Sequence, residues 1–186
     1  MEGKKRLTIT DQRIAHLLRH FSQIDTSYRN ELYRIGLNDH AILEACSVPG
    51  SKFDPCQIKK PDDIIGLVDR GKTVFSILQP NGNHAITLEF DFNIGSEGIL
   101  SMNELTSSER ELVTESMRSG TLLKFVRLPQ LRLTNRLTLV TNINSELVTA
   151  FPGRYAPPLP YPEMVQDEKI KANEFWNNHV FIEVTQ

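Results

Sequence analysis

The stretch Thr73–Phe92, TVFSILQPNGNHAITLEFDF, decides the fold class of this 186-residue chain. Two apolar runs are separated by PNGN, whose Asn-Gly dipeptide accepts the positive φ angles of a tight turn. The pattern predicts a β-hairpin with strands at 73–79 and 84–92. Apolar and polar residues alternate in the second strand, so we expect one face in the core and one in solvent, the polar side carrying Thr87, Glu89 and Asp91.

The residues before this hairpin have the periodicity of helices. In TDQRIAHLLRHFSQI, residues 10–24, apolar side chains recur at intervals of three and four. Capping residues, a Gly stop at Gly36 and a Pro start at Pro61 predict three further helices, at 25–36, 38–46 and 61–71. The first third of the chain is therefore expected to be helical.

After the hairpin, helices and strands mix. The sequence predicts a helix of about four turns at 102–120, a strand at 121–127, a second hairpin from 136–143 and 146–151, a helix at 162–178 and a strand at 179–185. The class is α+β: N-terminal helices followed by a mostly antiparallel sheet of five or six strands, with one inserted helix and a C-terminal helix and strand. One domain is expected, 1–186, with a helical part at 1–71 and a sheet-rich part at 72–186.

Composition limits the function. A hydrophobic content of 39%, a charged content of 24% and a net charge of −2 are ordinary for a soluble protein and argue against avid non-specific binding of nucleic acid. Apolar runs are short, so we expect a cytoplasmic protein without a membrane partner. The sequence lacks a phosphate loop, a nucleophile motif and metal-ligand spacing, so no cofactor or metal is expected, and Cys46 and Cys56 are expected to stay reduced.

His84 is the first candidate for chemistry. It stands at the start of the second strand, directly after the turn. Imidazole titrates near neutral pH, and a strand end is a rigid platform for a general acid or base. The structural interpretation is a partly buried histidine bonded to a turn carbonyl.

Arg127, Arg132 and Arg136, with Lys124 before them, place four positive charges within thirteen residues. A local excess of charge can bind an anion even in a slightly negative protein, because distant charges are screened. Arginine favours phosphate through its bidentate fork. The alternative is an ordinary solvated face.

Thr149 and Arg154 complete the candidate set. A two-residue turn at Asn144-Ser145 would pair Asn142 with Leu147, Val140 with Thr149, and Thr138 with Phe151. This register would bring Arg136, Thr138, Thr149 and Arg154 to one face as a polar, cationic cluster. Two alternatives remain: threonine is common in strands without any function, and Glu89 or Asp91 would turn the arginines into a surface salt-bridge ladder.

Helices first, an antiparallel sheet, a histidine on an early strand and LVTAFPG ending a later one, residues 147–153, resemble the barnase, EndoU, colicin and RelE-like ribonuclease group of bacterial toxins. The resemblance covers about 73–156. It implies metal-independent RNA cleavage, with His84 as general base or acid, Thr149 as hydrogen-bond donor, and Arg154 or Arg136 as a clamp on the scissile phosphate.

Three functions follow as hypotheses. The first is a metal-independent ribonuclease-like or RNA-binding domain, whose partner is RNA or another phosphate-bearing ligand. The second is a non-enzymatic protein-interaction module that uses a sheet edge or the proline-rich arm 155–162, and the third is an enzyme or binder for a small anionic metabolite. The interaction module predicts an exposed apolar patch beside 155–162 and no concave pocket lined by arginine.

Overall fold

A computed structural model describes residues 6–185, which form six α-helices and eleven β-strands. The chain divides into two compact units, Met1–Glu97 with Leu133–Tyr155 and Gly98–Arg132 with Ala156–Gln186. The sequence predicts one domain with parts at 1–71 and 72–186, and these parts differ from the two units. The predicted α+β class, the mostly antiparallel pairing and the C-terminal helix and strand are confirmed.

The predicted N-terminal helices are present. Asn38 caps the helix that begins at Asp39, where its carboxamide oxygen accepts a hydrogen bond from the Ala41 N–H at 2.8 Å, and Pro61 occupies the first position of its helix. Thr10, before the helix that begins at Asp11, makes no side-chain cap hydrogen bond. Three short 3-10 turns also occur, at Leu18–His20, Thr26–Tyr28 and Met102–Glu104. The α-helices are α1 (Asp11–Leu17), α2 (Arg29–Arg34), α3 (Asp39–Cys46), α4 (Pro61–Val68), α5 (Ser107–Glu111) and α6 (Gln166–Asn178).

The strands form three sheets of three or four strands. They are β1 (Lys52–Phe53), β2 (Lys72–Leu78), β3 (His84–Glu89), β4 (Gly95–Glu97), β5 (Ile99–Ser101), β6 (Thr114–Arg118), β7 (Thr121–Leu128), β8 (Arg132–Thr134), β9 (Arg136–Thr141), β10 (Leu147–Pro152) and β11 (His179–Val184). The strand orders are β1-β4-β8, β10-β9-β3-β2 and β5-β11-β7-β6. All pairings with a given register are antiparallel except β7 with β11.

The first predicted hairpin is confirmed as β2 and β3. Its register runs from Lys72 opposite Glu89 to Leu78 opposite His84, with a bulge between Thr73 and Phe75. Gly82 supplies the positive φ, 81°, that the turn needs. Because β3 pairs with β9 along its other edge, β2 is the outermost strand of the four-stranded sheet.

The core of the first unit lies on one face of this sheet, which we call the core face. Leu88 on β3, Leu137 and Leu139 on β9 and Ala150 on β10 join one buried cluster with side chains from the N-terminal helices. The helical stripe that the sequence predicts is part of it, since Leu17, Leu18 and Phe21 are at most 1% exposed, and Ile14 and Ile24 are buried as well. Burial of apolar surface between helices and sheet is therefore the main stabilising contribution in this unit.

The opposite face of the sheet, which we call the threonine face, corrects one prediction. The sequence predicts that Thr87 faces solvent, and this is wrong, because Thr87 is 2% exposed. Its hydroxyl lies 2.9 Å from the Thr138 hydroxyl, which donates to the Gly153 carbonyl at 2.8 Å. A central strand is covered on both faces here, and the threonines satisfy each other's polar groups.

The predicted four-turn helix at 102–120 is also wrong. Only the 3-10 turn at 102–104 and α5 are helical, and Thr114–Arg118 form β6, which pairs antiparallel with β7. Ser119 and Gly120 both have positive φ, 49° and 78°, so Gly120 belongs to a hairpin turn and does not terminate a helix.

The second unit is built around β7 and β11, the parallel pair. Val126 and Val180 on these strands are at most 1% exposed. Trp176 on α6 stacks on Phe181 at 4.8 Å between ring centroids, and Phe181 stacks on Phe125 at 5.5 Å. Aromatic stacking thus connects the last helix to its sheet.

Gly153 lets the chain leave β10 in a conformation that other residues rarely adopt. Its φ is 114°, and a Cβ atom at this position would lie 2.7 Å from the Cβ of Glu97. Gly66 in α4 is the contrasting case, because a Cβ there meets no atom within 4 Å. A side chain at position 153 would therefore be strained and would overlap Glu97, whereas a side chain at position 66 has room.

We therefore expect Gly153→Ala to lower the free energy of unfolding by roughly 1–3 kcal/mol through strain and overlap. Gly66→Ala should raise it by about 0.5–1 kcal/mol, because alanine loses less backbone entropy in a helix. Urea unfolding followed by circular dichroism measures both. Equal effects of the two substitutions would contradict this account of Gly153.

Candidate functional site

His84 is half-buried at the beginning of β3, on the core face. Its register partners are Leu78 on β2 and Thr141 on β9, and it shares its face of the strand with Ile86 and Leu88. Its Nε2 lies 2.7 Å from the hydroxyl oxygen of Ser76, so the partner is a hydroxyl on the neighbouring strand and not the expected turn carbonyl.

Thr149 is half-buried on the threonine face, across the sheet from His84. The predicted pairs Val140–Thr149 and Thr138–Phe151 are confirmed, and Val140 in turn pairs with Ala85, the residue after His84. Successive side chains in a strand point to opposite faces. The sheet therefore separates the imidazole of His84 from the hydroxyl of Thr149.

The third predicted pair, Asn142 with Leu147, is wrong. Leu147 lies opposite Thr141, with a register shift before Thr149. The Asn142 carboxamide oxygen accepts hydrogen bonds from the N–H groups of Asn144 and Glu146 at 2.9 and 3.0 Å. Asn142 therefore organises the turn with its side chain, and its backbone N–H donates across the hairpin to the Glu146 carbonyl at 3.0 Å.

Arg154 is held by a carboxylate. Its Nε donates to Oε2 of Glu97 at 3.2 Å, its Nη2 donates to Oε1 at 3.0 Å, and its backbone N–H donates to Oε2 at 3.1 Å. The side chains are 13% and 8% exposed. A bidentate, largely buried ion pair satisfies the guanidinium, and a phosphate would have to compete with Glu97 for it.

The other three candidate arginines also have acidic partners. Arg136 on β9 lies opposite Glu89 on β3, with Nε 3.3 Å from Oε2. This pair is the alternative that the sequence left open, a salt bridge on the sheet surface. In the second unit Arg127 pairs with Glu183 at 3.6 Å, and Arg132 forms an ion pair with Glu109.

The first unit also carries a cluster that the sequence did not reveal, along its outermost strand. All residues of β2 are exposed, including four apolar ones: Val74 at 45%, Phe75 at 39%, Ile77 at 37% and Leu78 at 71%. Phe75 stacks on Tyr155, with ring centroids 5.2 Å apart and planes 18° apart. The sequence does contain a signal for this cluster. Val74 and Leu78 have even numbers and Phe75 and Ile77 have odd numbers, so the core face of the sheet can bury only one of the two pairs.

His20 is the second feature that sequence reasoning missed. It ends the 3-10 turn after α1, packs against Phe53 and Phe151, and its Nδ1 lies 3.2 Å from the Ser51 carbonyl oxygen. Burial lowers its pKa to about 4, although the hydrogen bond to Ser51 opposes the shift. The ring is therefore neutral at pH 7, and Nδ1 donates its proton to the carbonyl.

The lining of a cavity beside the N-terminal helices of the first unit does not favour the binding of a small anion. A cavity of about 310 Å³ is lined by Gln23, Ile24, Asp25, Thr26, Pro55 and Lys59. This cavity offers one cation and no arginine. Within residues 6–185, no group of three or more His, Cys, Asp or Glu side chains could hold a metal ion.

Other sequence expectations concern the cysteines and the membrane. Cys46 is buried and Cys56 is exposed, and the two thiols are not joined in a disulfide. Of the helices in the described part of the chain, none combines the length and the apolar character that a membrane crossing requires.

The chain matches no protein-family model, and a search of curated proteins found no match.

The low pKa of His20 makes stability depend on pH. The folded-state pKa, about 4, lies below the ordinary 6.5, so the unfolded chain binds more protons between these values. The stabilisation is present above pH 6.5 and is lost as the pH falls toward 4, a change of roughly 3 kcal/mol from this group. In His20→Gln we expect a shallower dependence.

Urea unfolding at pH 7, 5.5 and 4 measures this dependence. His40→Gln, which changes an exposed histidine, is the matched control and should keep the slope of the unmodified protein. The assignment fails if His20→Gln leaves that slope unchanged.

Proposed function

We propose that this chain is a non-enzymatic protein-interaction module that binds an extended polypeptide segment along the free edge of β2. The observation that carries this proposal is a seven-residue outer strand that is exposed throughout and apolar at four positions. An exposed sheet edge recognises a partner by adding a strand to itself.

The backbone of β2 supplies the hydrogen-bonding groups. The Gln79 N–H donates to the Asn83 carbonyl at 2.8 Å, so Gln79 turns its polar groups toward the inner strand. Backbone groups alternate in direction along an antiparallel strand, so those of Ser76 and Leu78 point away from β3. These groups are available to a partner strand.

Residues 75–78 of β2 lack the features that usually protect an edge. Natural edges carry charged residues, prolines or bulges that discourage pairing. In β2, Lys72 is at one end and the bulge lies near it, whereas residues 75–78 are regular and uncharged. The outer strand β6 of the second unit differs, because Glu115 and Arg118 protect it.

Tyr155 keeps part of this surface in place before a partner arrives. Its ring stacks on Phe75, and its hydroxyl receives a hydrogen bond from the Gln79 carboxamide at 3.4 Å. A side chain that is already ordered loses less entropy on binding. The contact between Phe75 and Tyr155, the first residue of the arm 155–162, supports the proposal.

Metal-independent RNA binding or cleavage is the second candidate function. The observation that favours it is the shared face of Arg136 and Thr149, which also carries Phe75, stacked on Tyr155, at its outer edge. Aromatic rings and nearby cations are the groups that bind single-stranded RNA. His84 on the other face and Glu89 bound to Arg136 make this function the weaker proposal.

To test strand addition, a photo-crosslinking amino acid replaces Leu78 in the full chain, expressed in its natural host. We expect one dominant adduct, whose cross-linked peptide is an extended segment of a polypeptide. The same amino acid at Leu43 on α3, which is 67% exposed, is the matched control and should not give this adduct. Ile77→Lys should reduce the adduct yield at position 78 at least about tenfold, since it places a charge in the paired segment.

Identical adducts at positions 78 and 43, or none at position 78, would refute the proposal. An adduct whose yield Ile77→Lys does not reduce would also refute the proposal, because the captured polypeptide would then not be paired with β2.

RNA digestion separates the two candidate functions. Purified protein is incubated with bulk RNA in excess EDTA, and we expect intact RNA for the unmodified chain and for His84→Ala alike. Cleavage that His84→Ala abolishes, while the exposed-site control His40→Ala retains it, would overturn the non-enzymatic proposal. It would also establish His84 as a catalytic residue.

A further inference from the structure

We infer that the segment that pairs with β2 is β2 of a second copy of this chain, antiparallel to the first and centred on Ser76. The inference rests on the proposed docking role of β2 and goes further, because it names the partner. The two four-stranded sheets would then form one continuous eight-stranded sheet, within the usual range for open sheets.

The side chains of β2 are complementary to themselves in this register. With Ser76 opposite Ser76, Phe75 of each copy lies opposite Ile77 of the other, and Leu78 lies near the bulge residue Val74 of the other copy. Aromatic and β-branched residues form favourable cross-strand pairs. Each of these apolar residues is between 37% and 71% exposed in the single chain, so pairing removes apolar surface from water on both copies.

The backbone satisfies the same register. Ser76 and Leu78 direct their N–H and C=O groups outward, away from β3. A twofold axis at Ser76 makes the two Ser76 residues a hydrogen-bonded pair, in which each N–H donates to the carbonyl of the other copy. Residue 76 is the midpoint of 74–78, so pairing about an axis at Ser76 covers all four exposed apolar side chains of this stretch.

Charge selects the antiparallel direction. Lys72 is the charged residue of β2. An in-register parallel pairing would place the two Lys72 ammonium groups side by side, which is unfavourable. The antiparallel pairing places the two Lys72 residues at opposite ends of the paired segment, beyond the apolar stretch.

The first test is the mass of the purified full-length chain by sedimentation equilibrium over a range of concentrations. We expect a dimer whose dissociation constant rises at least about tenfold in Ile77→Lys, because a lysine replaces a buried apolar contact. Leu78→Lys, at a residue 71% exposed in the single chain, is a second variant for the same purpose. Met117→Lys on β6, at 63% exposure, is the matched control and should dimerise like the unmodified chain.

The second test is the register, by cysteine cross-linking. In a Cys56→Ser background, which removes the exposed thiol, Ser76→Cys should be joined to itself by a short bis-maleimide. A mixture of Val74→Cys and Leu78→Cys proteins should also cross-link, whereas Val74→Cys alone should not.

The outcomes separate this inference from the proposed function. A chain that stays monomeric at all concentrations, while the photo-crosslinker at position 78 captures a different polypeptide, overturns the second-copy inference and leaves the docking edge intact. A dimer that Ile77→Lys and Leu78→Lys do not weaken, or cross-linking of Val74→Cys alone, also overturns the inference. If the photo-crosslinker at position 78 captures neither a second copy nor another polypeptide, both the second-copy inference and the proposed docking role of β2 are overturned.

Discussion

The pairing of β3 with β2 on one side and β9 on the other is the constraint on which the first unit depends. Six pairs with β9 run without interruption from His84 opposite Thr141 to Glu89 opposite Arg136. In strands with a side-chain period of two, this register assigns every residue to one face. The core face then receives the helices, and the threonine face receives the chain as it leaves β10.

The exit from β10 shows how the threonine face uses its polar groups. Gly153 accepts a hydrogen bond from Thr138, and Arg154 forms a bidentate ion pair with Glu97. A largely buried pair of this kind costs desolvation and is strongly destabilising when one partner is removed, so its effect is to specify where the chain runs. A guanidinium that holds the backbone in place is poorly suited to hold a phosphate as well.

Interaction through β2 is consistent with this distribution of charge and burial. The four candidate arginines each have an acidic partner, whereas the four apolar side chains of β2 stay at least 37% exposed, Phe75 even while it stacks on Tyr155. Unpaired backbone groups and exposed apolar side chains on one strand favour a polypeptide as the ligand. The arrangement that would favour RNA is the alignment of Arg136 and Thr149 on the threonine face. His84 lies on the core face, so the sheet separates its imidazole from these two residues.

The sequence by itself determined the elements whose signals are local. The Asn81-Gly82 and Asn144-Ser145 turns, capping residues, and apolar residues at intervals of two or of three and four predicted the helices before residue 71, the two expected hairpins and the pairing of Thr149 with Val140. Each of these signals depends on residues close together in the chain. Tertiary structure alone decided that 114–118 is a strand, since β7 offers it a ladder, and that Thr87 is buried, since Thr138 lies beside it. It also decided that Arg154 belongs to Glu97, 57 residues away, because a pairing over that distance leaves no periodic trace in the sequence.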